Sequence, residues 1–421
     1  MPTHPLRAIA VVAAFALSLS ARADASPETD SAAHGLDPER LSRLQAAMQS
    51  YVDDGELAGA VTLIARDGEV VYFDAVGQRD REAAAPMQKD TIFRIASQTK
   101  AVISVAAMIL QEEGKLLIGD PVGDYLPEFR ETTVGVANEA GGYDVVPANR
   151  PITIRDLLTH TSGFDYGEGL TKDAWYAADI HGYYFADRDE PIRALVARMA
   201  ALPAVAQPGE KFVYGYSTDI LGAVVEVAAG MPLDEFLRAR IFEPLGMVDT
   251  HFFLPPSKRD RLAAVYEIRD GALARTQDDG WNGQGAYVDG PRKCFSGGAG
   301  LVSTAKDYAL FLQMVLNGGE LDGKRVLGRK SVELMSVDHL GDVPLSDGVG
   351  FGLGFSVLED LGRRGTPGTV GELAWGGAYH TKYWIDPAED LVVVHMTQLL
   401  PAGDVDDHDK LRALVYQAIV D

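Results

Sequence analysis

From Asp37 onward the apolar positions Leu41, Leu44, Met48 and Tyr51 recur every three or four residues, and the run closes at Gly55. With Asp37 as cap and Pro38 in the first turn, that spacing predicts an amphipathic helix. The period then changes. AGAVTLIAR and EVVYFDAVG flank Asp67-Gly68, a strong signal for a two-residue hairpin turn. Near the other end AYHTKYWID and LVVVHMTQ flank a Pro-Ala-Glu-Asp turn, and a last helix is predicted from about Asp407 to Val420. Both chain ends read as helix plus hairpin, so they are expected to share one antiparallel sheet.

Between them the pattern is helical: TIRDLLTH, with Thr153 and Asp156 at capping-box spacing, then PIRALVARMAAL, DILGAVVEVAAG and LDEFLRARIF. The predicted class is α+β, with a discontinuous sheet domain over 27–125 and 291–421 and a mainly helical domain over 126–290. No 20- to 50-residue repeat and no low-complexity segment interrupts this layout. Residues 1–23 combine Arg7, the apolar AIAVVAAFALSLS and small residues at Ala21-Arg22-Ala23. That is the pattern of a secretory signal peptide, too short for a membrane anchor, and it predicts a periplasmic or secreted protein. The formal charge of -23 over 421 residues repels nucleic acid and serves solubility. Cys294 is the only cysteine, so the fold must hold without an intramolecular bridge.

One departure from binary patterning carries chemistry. AVISVAAMIL, residues 101–110, is apolar on every helical face except Ser104, which marks an interior helix, and it drags Lys100 inward with it. A buried ammonium is costly, so Lys100 needs either a structural ion pair or a role as proton acceptor. Ser97 lies one turn earlier on the same face. As the first residue of a helix it has an unpaired N–H and the positive dipole end beneath it, which is half of an oxyanion hole. A second Ser-x-x-Lys, Ser303 to Lys306, reads instead as a helix start, because Thr304 and Asp307 have capping-box spacing. The chain has no Gly-x-Ser-x-Gly elbow, no His-Glu-x-x-His and no histidine pair at metal spacing, so His160 and His380 read as structural and no metal or cofactor is called for.

With FRIASQTKA, LLTHTSGF, PGEKFVYGYSTDILGA, FEPLGM, GGAGLVSTAKDY and AWGGAYHTKYWIDP in that order, the chain from about residue 36 to 420 resembles the serine β-lactamase and penicillin-binding-protein superfamily. Within it the likeness is to the class C-like branch that includes the family VIII carboxylesterases. The resemblance implies a β-lactamase-like fold with Ser97 as acylated nucleophile, Lys100 as its helical neighbour and Tyr214 as the tyrosine of the family's Tyr-x-Asn element. Tyr216 stands where the family often has a substrate-binding asparagine. Trp375-Gly376-Gly377 replaces Lys-Thr-Gly, and the N–H of Ala378 completes the oxyanion hole with that of Ser97.

The resemblance therefore implies hydrolysis of small-molecule esters through an acyl-enzyme, with Tyr214 and Lys100 as the proton-transfer pair. The pair titrates together, and sequence leaves open which member holds the proton. A neutral indole in place of the family's lysine removes a charge-assisted bond to a substrate carboxylate, about 1.5–3 kcal/mol. That weakens lactams and favours an uncharged acyl or alkoxy group, unless Trp375 only packs between sheet and insertion. Tyr166, Trp175, Tyr176, Tyr183, Tyr184 and Phe185 form either an apolar acyl pocket or core. Lactamase, DD-peptidase or D-amino-acid amidase chemistry is the alternative reading, and a non-catalytic acyl-ligand receptor is another.

Overall fold

A computed structural model describes residues 30–281 and 283–421. The signal-peptide expectation over 1–23 lies outside the described residues. Asp37 caps the helix Pro38–Asp53 by accepting from the N–H groups of Glu39 and Arg40, and Leu41, Leu44, Met48 and Tyr51 form its buried stripe. Asp67 and Gly68 both take positive φ and close the hairpin between the strands Gly59–Arg66 and Glu69–Asp80. The strand Gly59–Arg66 pairs antiparallel on its other edge with Leu391–Met396, in the register Leu63 to Val394. The two chain ends thus meet in the middle of one sheet, as the pattern predicts. In spatial order the eight strands are 349–351, 356–358, 373–377, 381–386, 391–396, 59–66, 69–80 and 85–86.

Every residue of Gly59–Arg66 and of Leu391–Met396 is buried, because both faces of the sheet are covered. One face, with Ile64, Trp384 and Val393, packs under the helices Pro38–Asp53 and Asp407–Tyr416. The other, with Leu63, Tyr383 and Val394, packs against Ala305–Leu316 and, beyond it, Thr99–Glu112 and Ser217–Ala229. Residues from Thr99 to Leu110 are all buried, each large aliphatic among them contributing about 1.5–3 kcal/mol. The lone hydroxyl within residues 101–110, that of Ser104, donates to the Lys100 carbonyl at 2.9 Å. The second Ser-x-x-Lys is a helix start: Thr304 accepts from the Asp307 N–H, Ser303 is buried against Thr250, and Lys306 is exposed. Between 126 and 290 the helices are joined by two short hairpins, Thr133–Ala137 with Tyr143–Pro147 and Tyr266–Arg269 with Ala272–Arg275, which the helical periodicity did not announce.

His251 lines a cavity of about 560 Å³ beside Phe252 and Phe295, a cavity bordered by none of the candidate catalytic residues. Its Nε2 accepts from the Lys258 ammonium at 3.1 Å, and burial followed by that charge brings its pKa down to about 4. Below its free value of about 6.5 the unfolded chain takes up a proton that the folded chain refuses, so stability falls with pH. By pH 5 this one group costs about 2 kcal/mol. His251→Gln keeps an acceptor for Lys258 and cannot titrate. Urea unfolding at pH 7 and pH 5 should show the acid-side loss reduced by about that amount, and an unaltered difference would refute the assignment.

Candidate active site

The strand Phe93–Arg94, paired with Val302–Ser303, delivers the chain into a single 3₁₀ turn, Ala96–Gln98, that runs on into the helix Thr99–Glu112. Ala96 has φ +40, a left-handed conformation costing roughly 1 kcal/mol or more for a non-glycine residue. Its methyl group is fixed among Val265, Ala299, Tyr379 and Leu400, so packing holds the strained residue and the half-buried Ser97 behind it. The Thr99 hydroxyl accepts from Leu301 N–H at 3.1 Å, tying the helix start to the Gly-Gly-Ala-Gly loop.

Lys100 is 2% exposed and its ammonium has three acceptors: Ser97 Oγ at 3.2 Å, Tyr166 Oη at 2.9 Å and the Gly298 carbonyl at 2.7 Å. None of them is a carboxylate. Asp219 acts one step away, accepting from Ser296 Oγ at 2.6 Å and from Gly298 N–H at 3.1 Å, and so fixes the loop whose carbonyl holds Lys100. Burial raises the Asp219 pKa, while the Ser296 bond and the Lys100 charge oppose the rise. Gly298 permits the approach, since a Cβ there would lie 2.3 Å from Asp219 Oδ2.

Two tyrosines meet Lys100, and the pairing differs from the expected one. The hydroxyl beside the ammonium belongs to Tyr166, whereas Tyr214 presents its ring face, with Nζ 4.6 Å from the centroid. The Tyr214 hydroxyl accepts from Trp375 Nε1 at 3.0 Å, and its ring packs on His160 at 4.8 Å. Burial, then Tyr214 and Asp219, push the Tyr166 pKa well up, so Tyr166 remains a phenol. His160 is held neutral by burial and by the Lys100 charge.

Tyr216 is corrected as a substrate contact. It is fully buried, donates to the carbonyls of Gly182 at 2.8 Å and Tyr166 at 3.2 Å, and stacks between Trp175 and Phe185. Leading into the helix Ser217–Ala229, it turns into the helical layer and supports Tyr166 from behind. Trp175 and Phe185 are likewise core; Tyr176 is exposed against His181. Of that aromatic cluster only Tyr166 reaches Lys100.

Trp375, Gly376 and Gly377 end the strand Leu373–Gly377, which lies against the Ser97 turn. A Cβ on Gly377 would come 2.4 Å from the Ile95 carbonyl, so only glycine lets the strand end approach the Ser97 turn this closely. Among the described residues, neither the Ser97 N–H nor the Ala378 N–H donates to a protein group. Two free donors on adjacent elements, a hydroxyl beside a buried lysine and two phenols make a site able to acylate and deacylate a serine.

Comparison with known proteins places this geometry. A family model described as Beta-lactamase matches residues 44–417. Protein Rv1367c of Mycobacterium tuberculosis (strain ATCC 25618 / H37Rv) is 37% identical over 375 residues, covering 86% of this chain and 91% of that protein. Esterase EstB of Burkholderia gladioli is 34% identical over 397 residues, covering 89% and 94%. The solved structure of EstCE1, described as a hydrolase with promiscuous acyltransferase activity, has a TM-score of 0.76 at 30% identity and covers 90% of this chain and 98% of that one. With a match over most of its length and these elements in the family's order, the chain belongs to the beta-lactamase family, within the superfamily of serine β-lactamases and penicillin-binding proteins.

Proposed function

We propose that the chain is a serine hydrolase of small carboxylic esters that works through an acyl-enzyme on Ser97. The observation that carries this reading is the Lys100 ammonium position, buried, bonded to Ser97 Oγ and, among the described residues, in contact with no carboxylate. Lys100 Nζ is fixed by Tyr166 Oη and the Gly298 carbonyl 3.2 Å from Ser97 Oγ, within reach of the hydroxyl proton. Ser97 Oγ then bonds to the ester carbonyl carbon, its proton passes to the Tyr214 and Lys100 pair, and the N–H groups of Ser97 and Ala378 hold the oxyanion. Collapse breaks the bond to the alkoxy oxygen, which leaves as an alcohol with a proton from the Lys100 and Tyr214 pair. Water attacks the acyl carbon and gives a proton to the pair; collapse then breaks the bond to Ser97 Oγ, which takes that proton from the pair as the acid leaves. Tyr166 keeps its proton and orients Lys100, which leaves Tyr214, aimed by Trp375, as the phenol in proton transfer.

The neutral Trp375 supports esters over lactams, and the esterase name of EstB agrees with it. Acyl transfer to an alcohol uses the same intermediate, and the description of EstCE1 supports it as a side reaction. The basic and apolar pattern of residues 1–23 supports export to a periplasm or the medium. Purified protein should turn over p-nitrophenyl butyrate faster than nitrocefin or a D-Ala-D-Ala peptide. A preference for either amide would replace ester hydrolysis as the reading.

Trp375→Phe tests the aim of Tyr214. The ring still packs on Phe351, but the N–H donor 3.0 Å from Tyr214 is lost. A hydrogen bond of about 0.5–1.5 kcal/mol predicts a kcat lower by about 2- to 13-fold, with KM little changed. An effect confined to KM would instead make Trp375 a contact for the substrate alone.

A further inference from the structure

The donor Ala378 sits in the five-residue turn 377–381, and three anchors fix that turn. Gly377 lies against the Ile95 carbonyl, and Tyr379 packs on Ala96, the residue before the nucleophile. The third anchor is His380. It has φ +66, donates its N–H to the Gly377 carbonyl at 3.0 Å, and reaches Asp407 Oδ1 with Nε2 at 2.5 Å. Asp407 is fully buried at the start of the helix Asp407–Tyr416, with His395 Nε2 3.3 Å from its other oxygen. His408, from the same helix, donates Nε2–H to the His380 carbonyl at 3.2 Å and stacks on the His380 ring, centroids 3.8 Å apart and planes 10° apart. A histidine in a left-handed conformation is strained and persists only where its surroundings dictate it. Here a buried carboxylate and a stacked ring do so.

His380, Asp407 and His408 lie close enough in distance for metal ligands. The stacking argues against that use, because a cation in the plane of one ring stands well off the plane of the other. The cluster is a hydrogen-bonded clamp, and it joins the oxyanion turn to a helix on the far face of the sheet.

We propose that His380 is a positioning residue for the oxyanion hole, its bond to Asp407 setting the direction of the Ala378 N–H. The inference rests on the acyl-enzyme reading above. Complete loss of one such donor lowers turnover about 10²- to 10³-fold, so a donor left in place but misaimed should cost about 10-fold. Two variants test it. His380→Gly suits the positive φ and deletes the clamp, while His380→Gln sets an amide N–H where Nε2 stands, facing Asp407 Oδ1. Turnover of p-nitrophenyl butyrate is measured per active site, counted by a fluorophosphonate label on Ser97, so that unfolded protein does not enter. His380→Gly should lower kcat about 10-fold with KM within about 2-fold, and His380→Gln should recover most of the loss. Wild-type kcat in labelled His380→Gly, a loss carried by KM, or no recovery by glutamine would overturn the proposal alone. Failure of the label to reach Ser97 in the wild-type protein would overturn the acyl-enzyme reading and this inference with it.

Discussion

Ser97→Ala lowers ester turnover by at least about 10⁴-fold, the scale of losing a nucleophile whose partners act only through it. The variant should fold normally, because Ser97 is half-buried and its hydroxyl has one protein partner, Lys100. The N–H groups of residues 97 and 378 survive, so a residue of rate above water remains, without an acyl-enzyme and without fluorophosphonate labelling. Ser303→Ala is the matched control. Its Oγ is buried 2.8 Å from Thr250, so losing it costs roughly 1–2 kcal/mol of stability and leaves turnover unchanged. Hydrolysis of p-nitrophenyl butyrate by Ser97→Ala at the wild-type rate would refute the assignment of the nucleophile.

What the sequence disclosed follows from what forces residues into place. The Asp67-Gly68 hairpin and the apolar run after Lys100 are local patterns with one inexpensive solution each, and both appear in the structure as expected. Asp219 carries the same kind of signal as Lys100, an ionisable group one turn into the buried STDILGAVVEVAA helix, and it meets the same requirement for partners. Tyr166 left no comparable trace. It lies on an irregular loop where neither period applies, and only the approach of that loop to the Thr99–Glu112 helix brings its hydroxyl to Lys100. Tyr216 was misplaced because a matched motif gives position along the chain but not which way a residue at a helix start faces. His380 read as structural, and its bond to Asp407 agrees with that, but the partner lies 27 residues away on another element.

Lys100→Ala is the second large effect, a loss of about 10²- to 10⁴-fold in kcat as the proton acceptor disappears. It differs from the serine variant in a readable way: Ser97 and both free N–H groups persist, so slow fluorophosphonate labelling should continue. The two phenols then divide the remaining chemistry. Tyr214→Phe keeps the ring 4.6 Å from the ammonium and deletes only the oxygen that Trp375 aims, so its loss should approach that of Lys100→Ala. Tyr166→Phe removes one of three acceptors from Lys100 but leaves Ser97 and Gly298 to hold it, which predicts a loss nearer 10-fold. Since burial holds the Tyr166 proton in place, that variant should leave the shape of the pH–kcat profile unchanged. The reverse order of losses, with Tyr166→Phe the more damaging and altering that shape, would transfer proton shuttling to the phenol that Lys100 touches directly.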